Sequence, residues 1–107
     1  MNMIKIYLDD KRDTPPGFVR TYTVDETIEL LIKHEGEIDT LSLDNDLGVD
    51  ENNLPLEEGR MVARWLEEKA FNKEYKEIPN LFIHSDNNVA VLDMQKAFAN
   101  ARRYWSR

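Results

Sequence analysis

The chain predicts an α/β fold built on a parallel sheet, and three observations carry that reading. Short apolar segments with strand propensity alternate with amphipathic segments of helical period. Three of the apolar segments end abruptly in polar clusters. Met3–Leu8 runs into Asp9 and Asp10, Ile38–Leu43 into Asp44 and Asp46, and Leu81–Ile83 into His84, Ser85, Asp86 and Asn87. In sheets with right-handed crossovers such clusters share the carboxyl edge of the strands, where ligands bind.

Each element has its own signal. In residues 3–8, Ile4, Ile6 and Leu8 fall on one face and Lys5 and Tyr7 on the other, the pattern of a strand less covered on its second face. Pro15, Pro16 and Gly17 make residues 11–18 a loop. Val19–Thr23 is rich in β-branched and aromatic residues and reads as a second strand, although a parallel crossover usually needs a longer connection. Thr23 with Glu26 opens a helix as a capping box, Val24, Ile28, Leu30 and Leu31 form its apolar stripe, and Gly36 stops it just past His34. His34 is a surface residue favoured by the helix dipole. Ile38–Leu43 is the next strand, and Gly48 lets the chain turn after it. Val49–Pro55 is an acidic, polar segment, a solvated loop or a lid. Leu56–Phe71 reads as a helix with Met61, Val62, Trp65 and Leu66 inward, and its early Gly59 allows a close approach to the sheet or a ligand. Leu81–His84 is the third strong strand. Asn88–Trp105 is the last helix, with Val91, Met94, Phe98, Ala101 and Trp105 on one stripe and Arg102, Arg103 and Arg107 at its basic end.

At 107 residues the chain has material for one domain, residues 1–107, with a modest core. The net charge of -7 excludes broad electrostatic binding to nucleic acid, but not contact with one nucleic-acid end or a small phosphorylated ligand. The absence of cysteine removes thiol catalysis and thiolate metal sites, and suits a cytoplasmic protein. No apolar run is long enough for a membrane span, and no signal-peptide pattern opens the chain.

Asp9, Asp10, Asp44 and Asp46 cannot crowd one edge uncompensated, because two like charges 4 Å apart repel by about 4 kcal/mol at an effective dielectric near 20. Three remedies are open: a divalent cation of the Mg²⁺ type, the side chains of Lys11 and Arg12, or protonation of one carboxylate. Asp9, Asp10 and Asp44 are the metal-ligand candidates. His84 is a candidate acid or base near neutral pH. Arg12 can clamp a phosphate, and Ser85 and the backbone around Asn87 can hold its oxygens. Beside these stand plainer roles: Asp10 and Asp46 as turn or cap residues, Asp86 as the cap of the last helix, Trp65 and Trp105 as core.

Leu8-Asp9-Asp10-x-Arg12, Ser42-Leu43-Asp44-Asn45-Asp46-Leu47-Gly48, Gly59 with Trp65-Leu66-Glu67, His84-Ser85 and Met94 together resemble the cyclic-phosphate-processing receiver-like domain family. The resemblance spans nearly the whole chain. It implies a three-layer, flavodoxin- or receiver-like fold with a mostly parallel four-stranded sheet of order 2-1-3-4, lacking the fifth strand. It also implies a Mg²⁺ pair at Asp9 and Asp10, the phosphoacceptor position at Asp44 and the receiver Ser/Thr position at Ser85. The catalytic lysine that precedes a receiver's fifth strand has no counterpart, and Asn45 stands where the family usually carries histidine. The expected activity is phosphoesterase-type opening of a cyclic phosphate, with His84, Asp44 and Asp46 catalytic and a divalent cation as cofactor. The alternative is a non-catalytic receiver-like binding or signalling module.

Overall fold

The computed structural model describes residues 3–49, 51–54 and 58–107. The elements run β1 (Ile4–Leu8), β2 (Val19–Thr21), α1 (Val24–Lys33), β3 (Ile38–Leu43), α2 (Arg60–Phe71), β4 (Asn80–Ile83) and α3 (Asn88–Trp105). All strand pairings are parallel, in the expected order β2-β1-β3-β4. The register sets Leu8 opposite both Thr21 and Leu43, and Leu43 opposite Ile83. Alternation then puts Ile6, Leu8, Leu41, Leu43 and Ile83 on one face.

That face carries the core. Ile6, Leu8, Leu41 and Leu43 are fully buried with Leu31 of α1, Val62 and Leu66 of α2 and Met94 of α3, and they form one continuous cluster. α1 lies over β1 and β2, α3 beside β4, and α2 touches both helices. The helices therefore form one layer on one side of the sheet. The three layers expected are corrected to two, while the α/β class and the strand order stand. The reason is the β1–β2 connection, residues 9–18, which contains no helix to cover the second face. Side chains cover part of that face instead. Tyr7 is buried there, with the ring of Phe18 edge-on at 5.9 Å and the His84 ring stacked on it at 4.3 Å. Phe82, on the same face of β4, stays 60% exposed.

The short parallel connection is held by side-chain bonds. Arg20 of β2 donates from Nε to the Asp9 carbonyl at 2.8 Å and from its guanidinium to Thr14 Oγ1 at 2.9 Å. The strand ends at Thr21, two residues earlier than expected, because Thr23 is taken as the cap of α1. Thr23 and Glu26 form both halves of the capping box. Gly36 and Gly48 adopt φ of +84° and +98°, the left-handed turns their positions require.

α2 begins at Arg60, not at Leu56. Glu58 instead forms an antiparallel bridge with Asp46, and Leu56 and Glu57 lie outside the described residues. Met61, expected inward, is half exposed, and the buried side is Val62, Ala63, Leu66 and Ala70. Trp65 and Trp105 pack at the margin of the core, as expected, and Trp105 donates to the Tyr75 carbonyl at 2.8 Å. α3 has the expected bounds, but its cap is Asn87, whose side chain accepts from Ala90 N. Asp86, expected as the cap, has a fully exposed side chain.

Gly59 is the point of closest approach between α2 and the sheet. A Cβ there would lie 1.7 Å from the carbonyl oxygen of Asp44. Its φ of -57° is helical, so the constraint is contact alone. Replacing such a helical glycine by alanine ordinarily stabilises by about 0.4–1 kcal/mol. Here Gly59→Ala is expected to destabilise by about 3 kcal/mol, read from the urea midpoint of unfolding. A midpoint that rises would contradict the close approach.

Candidate functional site

The ends of β1, β3 and β4 meet as their shared direction requires. Asp9, Asp10 and Asp44 each offer an oxygen within 4.8 Å of the others. They open onto a cavity of about 220 Å³ lined by Asp9, Asp10, Lys11, Arg12, Asp44, Asp46 and Asp86. A roomier hollow of about 390 Å³ lies between β2 and α1. Of its polar groups, Arg20 and Glu26 are spent on the β1–β2 loop and the α1 cap, and among the described residues it holds no cluster of acidic groups like that at the strand ends.

Asp9 is 1% exposed and is surrounded by donors. Its Oδ1 accepts from the backbone N–H of Lys11 at 2.8 Å and of Arg12 at 3.0 Å. Its Oδ2 meets Arg12 NH1 and His84 Nε2, both at 3.1 Å. Burial alone would raise its pKa, but the two backbone donors, the guanidinium and the nearby imidazole outweigh burial and hold the carboxyl below its ordinary value. Asp44 has fewer donors. Its Oδ1 accepts from Asn45 N at 2.8 Å and lies 3.7 Å from Arg12 NH1. Burial, then the charge of Asp9, push its carboxyl above the ordinary value.

One of the three remedies for crowded charge is the arginine, which the fold brings to the cluster. Arg12 NH1 reaches Asp9, the His84 carbonyl at 2.7 Å and the margin of Asp44, while NH2 lies 3.4 Å from Asp86. Lys11 contributes its backbone N–H. His84 lies one residue past β4 on the open sheet face, with Nδ1 at 2.7 Å from Ser42 Oγ and its ring parallel to Tyr7 within 3°. Burial pulls its pKa below the ordinary histidine value, with Arg12 adding to this and Asp9 opposing it. His34 lies elsewhere, beside Glu37.

The other candidates separate. Asp46 is exposed on the cavity's rim. Ser85 and Asn87 sit next to the site but not in its lining. Ser85 Oγ accepts from Asn87 N at 3.1 Å, and Asn87 Oδ1 caps α3. Asn45 is fully buried and turned away from the cavity: its Oδ1 accepts from Arg60 N at 3.1 Å and its Nδ2 donates toward Asp46 and Glu58. It caps α2. The residues missed from the sequence are Arg20, Tyr7 and, as a partner of His84, Ser42. Alternation placed Tyr7 on the less covered face, and the register sets Arg20 and Ser42 beside it, but nothing in the sequence showed that an imidazole would lie across that face.

The acidic cluster can hold a metal ion. Its donors are the carboxylate oxygens that hard divalent cations prefer. A cation at Asp9 must take Oδ2 from Arg12, since Oδ1 is committed to two backbone N–H groups. Among the described residues, no helix is long and apolar enough to cross a membrane.

A family model described as the cyclic-phosphate processing receiver domain matches residues 4–100. No curated protein and no solved structure matches the chain.

The two buried aspartates have opposite consequences. Asp9, held low, contributes stability above the unfolded aspartate pKa and loses it as pH falls through the folded value. Asp44, held high, contributes stability below its unfolded pKa and loses it as pH rises through the folded value. Asp9→Ala is therefore expected to destabilise the cation-free protein at neutral pH by about 1.5–3 kcal/mol, the scale of hydrogen bonds to a charged group. Asp44→Asn is expected to raise the melting temperature at neutral pH, with the gain shrinking as the buffer is acidified. Calorimetry across a pH series checks both signs.

Proposed function

The chain belongs to the cyclic-phosphate processing receiver domain family, and from that membership and the edge cavity we propose that it hydrolyses cyclic phosphates, carried by a nucleotide or by an RNA end. The observation that carries the reading is the convergence of Asp9, Asp10 and Asp44 on one cavity beside the guanidinium of Arg12. A phosphate diester needs cationic charge on its non-bridging oxygens, and the cluster supports both sources of it.

A Mg²⁺-type cation held by Asp9, Asp10 and Asp44 would supply Lewis-acid charge to the phosphate. Arg12 has the exposure to leave Asp86 and present its planar fork to a phosphate oxygen, and Lys11 adds a second positive charge at the mouth. In the reaction, a water oxygen bonds to phosphorus, one ring P–O bond breaks, and the freed ester oxygen takes up a proton. Asp44, at the cavity, accepts the proton of the attacking water, and Asp46 on the rim is the second carboxylate placed to relay it. His84 faces the site only through Asp9. An ionised carboxylate beside Nε2 favours hydrogen on that nitrogen, and it is in the imidazolium form, whose charge Asp9 stabilises, that His84 gives this hydrogen to the leaving oxygen. Ser85 and Asn87 have no direct part, because their side chains serve the first turn of α3.

A second reading has its own observation. Arg12 already pairs with Asp9, Asp44 and Asp86, which closes the edge internally and fits a non-catalytic module that binds a partner.

Turnover separates the two. With Mg²⁺ present, a 2′,3′-cyclic mononucleotide or an RNA ending in a 2′,3′-cyclic phosphate is expected to be opened to the monoester. His84→Ala is expected to lower the rate roughly 10²–10⁴-fold. Chelation of the cation is expected to abolish turnover. No hydrolysis of either substrate with Mg²⁺ or Mn²⁺ would overturn the enzymatic reading and leave the binding module.

A further inference from the structure

We propose that Ser42 is the positioning residue for His84: its hydroxyl fixes the imidazole across the open face of the sheet, in the tautomer whose hydrogen on Nε2 is directed at Asp9. The inference deepens the hydrolytic reading, and its catalytic consequence rests on it.

Three contacts constrain the ring. Nε2 lies 3.1 Å from Asp9 Oδ2, Nδ1 lies 2.7 Å from Ser42 Oγ, and the Tyr7 ring stacks at a centroid distance of 4.3 Å. Asp9 is a carboxylate whose other neighbours are all donors, so it can only accept. Asp9 thus favours hydrogen on Nε2, and in that neutral tautomer Nδ1 is a bare acceptor that needs a donor of its own. Ser42 is the hydroxyl that satisfies it, and the bond runs Ser42 Oγ–H to Nδ1. Tyr7 fixes the plane, which contact with Asp9 alone would leave free to tilt. The serine is 6% exposed in the middle of β3, flanked by fully buried Leu41 and Leu43. A hydroxyl there needs a partner. Thr40, two residues earlier on the same face, finds one in Asp39 of its own strand. Ser42 bonds instead to a ring forty-two positions away, past the end of another strand.

The plain alternative is that Ser42 is only a satisfied buried hydroxyl that the ring happens to meet. The two differ in what the ring does without it. If Ser42 positions the ring, Ser42→Ala leaves Nδ1 without its donor and the Nε2–H preference relaxes toward a mixture. If it does not, Asp9 and Tyr7 hold the same tautomer unaided.

The test is ¹⁵N NMR of the His84 side chain in the cation-free protein, at a pH where the ring is neutral. Wild type is expected to show hydrogen on Nε2. Ser42→Ala is expected to show exchange-averaged nitrogens, and Ser42→Thr, which keeps the hydroxyl, to restore the wild-type pattern. In cyclic-phosphate turnover, Ser42→Ala is expected to lower kcat roughly 10–100-fold with little change in KM, the scale of lost outer-sphere partners, with recovery in Ser42→Thr. A wild-type ring carrying its hydrogen on Nδ1, or a Ser42→Ala ring still fixed at Nε2–H, overturns the proposal. Should Ser42→Ala not fold, Ser42→Cys, whose S–H is only a weak donor, takes its place and is expected to show the same exchange-averaged nitrogens. A tautomer that behaves as expected in a protein that opens no cyclic phosphate sinks the hydrolytic reading and leaves the positioning of His84 in place.

Discussion

An aspartate withdrawn from water and still ionised is the constraint on which the molecule turns. Asp9 survives in that state because backbone N–H groups of the β1–β2 loop, the Arg12 guanidinium and the His84 imidazole all point at its two oxygens. Each hydrogen bond to a charged group is worth about 1.5–3 kcal/mol, and the donors come from two places along the chain, Lys11 and Arg12 just after β1 and His84 just after β4. The carbonyl of Asp9 receives Arg20 from β2. One side chain and one peptide unit thus join β1, β2, their loop and the segment beyond β4. The neighbouring Asp44 has no such set and is left with a carboxyl reluctant to ionise. Two acids of one type, driven apart by their surroundings, is the condition under which carboxylates take different chemical roles.

The one-sided arrangement of helices explains how an imidazole can be one of those donors. With no helix between β1 and β2, the second face of the sheet is open to side chains, and His84 lies flat across β3 to reach Asp9 from β4. A helix packed on that face would occupy the space in which the ring stacks on Tyr7. The opposite face obeys the reverse logic. There α2 is drawn in until Gly59 touches the carbonyl of Asp44, and the buried amide of Asn45 caps its first turn. The end of β3 is therefore fixed from the helical side by a missing Cβ and an amide, which holds the Asp44 backbone in place below the cavity.

Asn45 shows why a residue near chemistry need not be part of it. It sits between two acidic residues, yet its amide is spent on the start of α2, accepting from Arg60 N and donating toward Asp46 and Glu58. Ser85 and Asn87 carry the same lesson. Their place at the edge was legible, but the Ser85 hydroxyl accepts from Asn87 N and the Asn87 carboxamide oxygen caps α3.

Period and punctuation alone were enough for β1, β3 and β4, for the α1 and α3 boundaries and for the convergence of Asp9, Asp44 and His84, because these follow from local rules: alternation, capping, and the shared direction of parallel strands. The start of α2 was not legible, since it depends on Glu58 bridging Asp46 and on a glycine contact with a distant carbonyl. The number of layers was not legible either. Nor was the reach of Arg12 to Asp9, Asp44 and Asp86 together, or the pairing of Ser42 with His84. Those depend on distances between segments remote in the chain, and such distances exist only once the sheet has closed and one of its faces has been left bare.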